Sequence, residues 1–536
     1  MVDSYSSGYI YINLFAQTVI PIILIDDFTV VSQRNSLIRI PKQLRKPRSS
    51  SIDQECLEYP VSPAYGYPAI APSSSDSDRC DVARVTIDML PDVALLRIFD
   101  FYMGEEPEGE DIEAWHTLVH VCRNWRNVVF GSPRRLNLQL YCRARTPVRE
   151  KLEVWPLLPI IIKVYSVDTW DNGNIIAALE HNDRICQLAI FDIPSSETEI
   201  ALTALQRPFP ELTYLLLDFP EAPVVPASFL GGSAPGLQTL CLDRIPFPAL
   251  PNLLLSAIHL VDLDIRRIPH SGYITPEAMV TALSVLTKLE SLQIGFESPR
   301  SRPDSDPRTR PFPKRTLLPV LTLLWFKGVS EYLEDLVARI DTPLLDNLTI
   351  TYYHQLIFDY PQLTQFIRRT PKFKVPDEAH LTFSYYDVMV ALPRTVTFDG
   401  VLKLRISCSQ PDWQLSSVSQ VCSSSFPQAL IPTVERLYIR SDSHWQDDIE
   451  NGQWLELCYP FISMKDLYIS SGFTPCITPV LKELVRERVT EVFPALQTLF
   501  LEKPPPPGPV HETIEQFVAA RRLAGHPIVI SPWERG

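Results

Sequence analysis

The chain carries none of the short patterns around which enzymes commonly build a site. It has no G-x-S-x-G elbow, no G-x-x-x-x-G-K-[ST] phosphate loop, no G-x-G-x-x-G dinucleotide turn and no H-E-x-x-H zinc helix. A non-enzymatic protein is therefore expected, with no catalytic, cofactor or metal residues. The ten cysteines are scattered, with no CxxC pair and no Cys/His cluster at ligand spacing, so they read as reduced thiols of a cytoplasmic or nuclear protein. Positive charge is also short. The 49 Lys and Arg against 63 Asp and Glu leave a net charge of −14 and a pI near 5.3, which argues against a nucleic-acid partner. Nor is there an apolar run fit to cross a bilayer. "YIYINLFAQTVIPIILI" (9–25) falls short of the roughly 20 residues a spanning helix needs, is interrupted by Asn13, Gln17 and Pro21, and follows "MVDSYSSG", which has no basic residue for a leader. No membrane role is expected.

What is present is a long globular chain. With 45% hydrophobic and 21% charged residues over 536 positions, two or more domains with substantial cores are expected. Residues 1–80 stand apart: "PKQLRKPRSSS" and "APSSSDSD" are rich in Ser, Pro and charge, and the whole segment reads as a disordered or loosely structured arm.

Residues 81–140 form the next unit. In "LPDVALLRIFDFY", starting at Leu90, Pro91 suits the first turn of a helix, and Val93, Leu95, Leu96, Ile98, Phe99 and Tyr102 recur at helical steps. "MGEEPEGED" interrupts it as a solvated loop. "IEAWHTLVHVCRNWRNVVF" restores the period through Trp115, Leu118, Val121, Cys122, Trp125, Val128 and Val129, and Gly131, Ser132 and Pro133 stop it. His116 and His120 lie one turn apart within this stretch, and hairpin packing accounts for them better than zinc does. Two or three short helices of this length cannot cover their own bulky residues, so an outside surface is required.

The remainder repeats. A three-point apolar pattern, i, i+3, i+5, occurs in "ICQLAI" (from Ile185), "LTYLLL" (212), "LQTLCL" (237), "LVDLDI" (260), "LESLQI" (289), "LTLLWF" (321), "LDNLTI" (345), "VLKLRI" (401), "VERLYI" (434), "MKDLYI" (464) and "LQTLFL" (496). The central leucines, from Leu188 to Leu499, are 27, 25, 23, 29, 32, 24, 56, 33, 30 and 32 residues apart, and "HLTFSYYD" at 380 half-fills the one double gap. This period and pattern are those of leucine-rich repeats. Each repeat should give one short strand to a parallel sheet, its i+3 and i+5 residues inward and its alternate residues on a concave client face. Tyr214, Thr239, Asp262, Ser291, Arg436, Asp466 and Thr498 are the candidates on that face. "TPEAMVTALSVLTK" and "SEYLEDLVARI" have helical periodicity and belong to the convex layer. "RPDSDPRTRPFPKR" (302–315) reads as an exposed loop and "PPPPGP" (504–509) as a stiff spacer. "HETIEQFVAARRLAGHPI" reads as a capping helix with a basic end and a glycine stop.

The Leu90-Pro91 pair, Ile98-Phe99 and the V-C-x-x-W of Val121, Cys122 and Trp125 resemble an F-box, the helical module that docks on the adaptor Skp1 in cullin-RING ubiquitin ligases. The irregular period and the blocks at 366–393, 407–427 and 514–535 are similar to F-box proteins of mushroom-forming fungi. The resemblance implies that Leu90, Pro91, Leu95, Ile98, Trp115, Leu118, Val121 and Trp125 pack partly on Skp1 and partly on each other. The fold class expected is α/β: an α-helical F-box-like hairpin, then an irregular leucine-rich-repeat solenoid over 141–536. The implied function is the substrate-recruiting adaptor of an SCF-type ligase. The alternative is a repeat scaffold without a ligase partner, whose hairpin caps the first repeat.

Overall fold

The computed structural model describes residues 90–534 apart from 105–113, 143–147, 165–171, 300–314, 394–400, 426–429, 442–450 and shorter breaks. The N-terminal arm, the acidic link and nearly all of the polar insertion at 302–315 lie outside the described residues.

Three helices open the described chain: α1 (Asp92–Gly104), α2 (Ala114–Val121) and α3 (Arg123–Gly131). Pro91 sits just before α1, where its carbonyl accepts from the N–H groups of Ala94 and Leu95 at 2.8 and 3.1 Å. Cys122 separates α2 from α3. Its backbone is extended (φ −156°, ψ 170°), and its sulfur accepts from the Trp125 N–H at 3.4 Å. Polar capping of this kind splits a stretch whose apolar period runs on unbroken.

The strands are β1 (Leu140–Cys142), β2 (Ile160–Val164), β3 (Ile185–Phe191), β4 (Tyr214–Asp218), β5 (Thr239–Asp243), β6 (Asp262–Ile268), β7 (Ser291–Phe296), β8 (Thr316–Leu317), β9 (Leu323–Gly328), β10 (Ile340–Asp341), β11 (Asn347–Tyr353), β12 (Glu378–Phe383), β13 (Asp387–Pro393), β14 (Val401–Ser407), β15 (Arg436–Ser441), β16 (Asp466–Ile469), β17 (Thr498–Leu501) and β18 (Val529–Pro532). All but β8 and β10, which pair with each other, join one sheet. Between strands lie α4 (Val148–Val154), α5 (Asn172–Leu179), α6 (Ser195–Ala204), α7 (Leu250–Leu254), α8 (Pro276–Leu283), α9 (Ser330–Val337), α10 (Pro361–Arg369), α11 (Pro411–Gln420), α12 (Asn451–Cys458), α13 (Thr474–Glu487) and α14 (Pro509–Leu523). The chain is thus a repeat solenoid of mainly parallel strands backed by helices, and every one of the eleven L-x-x-L-x-L segments is a strand of it.

Register explains the pattern. Leu188, Leu215, Leu240, Leu263, Leu292, Leu324 and Leu348 pair across successive strands, as do Ile190, Leu217, Leu242, Ile265, Ile294, Phe326 and Ile350. Both rows are buried and continuous with the helices in one core. Alternate residues point to the opposite, open face. The first apolar residue of most patterns closes a turn before its strand, as in Leu237 N–H to Ala234 O (3.2 Å). The residue after it donates to the preceding repeat: Gln238 to Thr213, Val261 to Gln238 and Glu290 to Val261, each at 2.8 Å. This backbone ladder holds neighbouring repeats together without the consensus asparagine.

The double gap is not a worn repeat. After β11 the chain skips two places, and β12, β13 and β14 fill the sheet in reverse order, β11-β14-β13-β12-β15. The middle strand is antiparallel to both neighbours, while β14 and β12 run parallel to β11 and β15. "VMVALP" therefore belongs to a strand of the sheet, β13. Leu402, not Leu404, faces Leu348. A slip of two keeps side chains on their faces, which is why the apolar pattern reads the same in either register.

Candidate open-face interaction site

The sheet face away from the helices is the surface on which the repeats bring distant residues together. Tyr214, Thr239, Asp262 and Ser291 stand side by side on β4 to β7, and Arg436, Asp466 and Thr498 on β15 to β17. They form two stretches of one row, separated by β9, β11 and the insert. In that row Thr239 and Ser291 are buried and the other five residues are half-buried. Burial, with the Glu290 carboxylate nearby, lifts the Asp262 carboxyl to about 6.

The richer chemistry lies two and four residues farther along the strands, and falls into three zones. On β3 to β5, Ala189, Leu216 and Phe191 form a small apolar cluster with Tyr214 and Cys241. Next to it is a charge network. Arg244 pairs with Asp218 at 2.6 Å, Arg267 binds Asp243, and Arg266 pairs with Asp264 at 2.6 Å and donates to Gln293 at 2.8 Å. Arg244 and Arg267 have positive φ (59° and 48°), a conformation disfavoured for side chains of this size, and it aims both guanidiniums back at the strand-end aspartates. Desolvation still dominates at Asp264, held at about 6 despite Arg266.

The middle zone is cationic. Lys327 on β9, with Lys403 and Arg405 on β14, flanks Thr349 and Thr351 of β11, and Lys327 lies over the Tyr353 ring at 5.6 Å. The third zone is an aromatic ladder. His380, Tyr438, Tyr468 and Phe500 stack in sequence with centroids 4.5, 4.2 and 4.3 Å apart and planes within 15°. Trp533 stands edge-on to Tyr438 and Tyr468, and Arg440 lies 5.5 and 5.6 Å from the Tyr438 and Trp533 rings. The ladder had a visible signal: the i+4 residue of the last three repeats is Tyr438, Tyr468 and Phe500.

The hairpin residues divide. Leu95, Trp115 and Leu118 are buried, Leu90 and Trp125 are half-buried against the same core, and Pro91, Ile98 and Val121 are exposed. Val93 and Tyr102, which share the helical apolar pattern, are exposed as well. The buried stripe of α1 is narrower than the sequence suggests because only Leu95, Leu96 and Phe99 meet the core, Phe99 against Trp125 at 4.8 Å. Trp115 seats the hairpin on the first repeat: its ring N–H donates to Gln139 O at 3.1 Å and its face meets Trp155 at 5.1 Å. His116 stacks on Trp155 at 4.8 Å, a packing role.

Among the described residues, no group of three His, Cys, Asp or Glu stands close enough to hold a metal ion, and no helix is long and apolar enough to cross a membrane. The Cys241 thiol, on the open face, is pushed well above its ordinary value by burial and then by the Asp264 carboxylate, with which it hydrogen-bonds.

No family model matches the chain, and no curated protein matches it in sequence. Among solved structures it is similar to one titled as the crystal structure of a TLR13–ssRNA13 complex, with a TM-score of 0.27 and 13% identity over 66% of this chain and 44% of that one. The chain therefore spans less than half the length of that protein. It is also similar to the leucine-rich repeat-containing protein LegL7 from Legionella pneumophila, with a TM-score of 0.24 and 11% identity over 71% of this chain and 97% of that one.

Proposed function

We propose that this protein is an interaction scaffold that binds a client on the open face of its sheet. The supporting observation is the sheet's one-sidedness. Helices and core occupy one face, while the other carries three contiguous zones of charge and aromatic side chains and, among the described residues, no helix to cover them. Tyr, Trp and Arg, concentrated around β12 to β18, are the residues that dominate binding energy at interfaces. A photo-crosslinking side chain placed at Tyr468 or at Gln293 should capture a client from the native extract, and one placed on the helical layer at Glu483 should not. Equal capture from both layers would refute an open-face scaffold.

A second reading is supported by α1. Its outer face leaves Ile98 (44% exposed), Phe101 (73%) and Val93 in solvent beside Val121 of α2, although the hairpin already seals the first repeat. A cap needs no such surface; a docking module does. In this reading the hairpin is an F-box that binds Skp1, and the protein acts in the cytoplasm or nucleus to present its client to a cullin ligase core, which carries out the ubiquitin transfer. The test is a pull-down with purified Skp1. Ile98→Ala, Phe101→Ala and Val121→Ala, all at exposed positions, should abolish binding in a chain that still melts cooperatively. Failure of the folded wild type to bind leaves the hairpin as a cap.

A further inference from the structure

Resting on the scaffold reading, we infer that the cationic strip formed by Lys327, Lys403 and Arg405 is the part of the open face that receives an acidic, extended segment of a client protein. Three observations converge on it. Lys327 and Lys403 are half-buried, and among the described residues neither ammonium group forms an ion pair. Arg405 is shared with Asp387 at 3.4 Å but keeps 47% of its side chain exposed. Burial, followed by the neighbouring arginines, holds both lysines below their ordinary pKa. Cations that crowd one another in partial burial are costly unless a counter-charge arrives. In a chain with a net charge of −14 such a strip is a local exception.

The dimensions and surroundings favour a peptide over a nucleic acid. Lys327 and Arg405 flank β11, so their backbones are about 10 Å apart at ordinary strand spacing. Carboxylates on one face of an extended segment recur every second residue, about 6.6 Å apart at about 3.3 Å per residue, so two successive ones reach both cations through the length of the Lys and Arg side chains. Beyond the strip lie carboxylates already held by arginines, Asp243 and Asp264 by Arg267 and Arg266 toward β5 and β6, and Asp387 and Glu378 by Arg405 and Arg436 toward β13 and β12. A continuous phosphate backbone would run onto those carboxylates. The ladder rings already spend their faces on one another at 4.2 to 4.5 Å, leaving no gap for a base to enter.

The experiment uses the full chain and fluorescence anisotropy with three labelled probes: a short peptide alternating Glu and Ser, its Gln counterpart, and a single-stranded RNA of similar length. The Glu peptide should bind at low salt and weaken as salt rises, and the Gln peptide should not bind. Lys327→Met with Lys403→Met, which keeps the aliphatic stems, should weaken binding about tenfold. Lys403→Glu should abolish it, with thermal melts confirming that both variants fold. Absence of binding by the wild type, equal binding by the variants, or tighter binding of RNA would each overturn the inference. If the strip fails while crosslinking from Tyr468 still captures a client, only the acidic-segment assignment falls. If neither binds, the scaffold reading falls with it.

Discussion

Replacing Glu334 by Ala should destabilise the protein at a point with no visible link to Glu334 in the sequence. Helix α10 starts at Pro361 after Tyr360, which makes no side-chain cap of its own. The two oxygens of Glu334, on the preceding helix α9, instead accept from the N–H groups of Gln362 and Leu363, each at 2.8 Å. A cap substitution costs about 0.5–2 kcal/mol, and a hydrogen bond to a charged group contributes about 1.5–3 kcal/mol. The helix dipole adds about 0.3–1 kcal/mol. These overlap, since all describe the same contact, so the loss expected for Glu334→Ala is about 2–3 kcal/mol, read as a lower urea midpoint at unchanged slope. Glu331, exposed one turn earlier, is the control and should change stability by less than about 0.5 kcal/mol on substitution by Ala. Hydrogen exchange gives the sharper assay, because the Gln362 and Leu363 amides should lose protection before the rest of α10. If Glu334→Ala leaves those two amides as protected as before, the bracket between α9 and α10 is not carried by this carboxylate.

Three further outcomes follow from local geometry. The Asp262 carboxyl, at about 6 in the fold against an ordinary 3.8, lets the folded state hold more protons than the unfolded chain between those values, so stability falls as pH rises across that window. Asp262→Asn should accordingly be about 2 kcal/mol more stable than wild type at pH 7.5, with the gain gone near pH 4 in urea titrations at both values. The Tyr352 hydroxyl is buried without a hydrogen-bond partner among the described residues while its ring stacks on Tyr360 at 5.1 Å, so Tyr352→Phe should be neutral or up to about 1 kcal/mol stabilising; a loss of that size in thermal melts would mean the hydroxyl is satisfied. A Cβ at Gly272 would lie 2.7 Å from Pro246 Cα, and backbone cannot give way cheaply, so Gly272→Ala should cost about 2 kcal/mol. Gly131→Ala, with open space around the added carbon, should not lower the melting temperature.

The repeat strands were legible because their signal is local. A buried row with period two and a turn before each strand leave the same mark wherever they occur, so eleven strands could be placed from spacing alone. The strands that were missed carry no such mark. "IIIKV" is buried at four of its five positions, so it shows no alternation, and β13 runs against its neighbours. At the hairpin, helical periodicity marked Val93, Ile98, Tyr102 and Val121 as apolar without telling which neighbour they meet. For the open face, alternation correctly put Tyr214 through Thr498 in one row. It could not tell that the rows two and four residues on would hold the paired charges and stacked rings, since those contacts depend on what adjacent strands contribute.

The reversed insert is the clearest case of a site that local reasoning cannot reach. A three-stranded meander shows a strand of the same direction at each edge, so it fits between two parallel strands either way round, with the same hydrogen bonding and the same side-chain parity. In chain order, β12 would lie beside β11 and β14 beside β15. His380 would then leave the face of Tyr438, shortening the aromatic ladder, and Lys403 and Arg405 would crowd Arg436 and Arg440. The observed order does the opposite. It delivers His380 to Tyr438 at 4.5 Å and sets Lys403 and Arg405 across β11 from Lys327, so the cationic strip and the ladder exist as separate zones because the chain crosses two places before it pairs. The interaction chemistry of this face is therefore a property of strand order rather than of any one repeat.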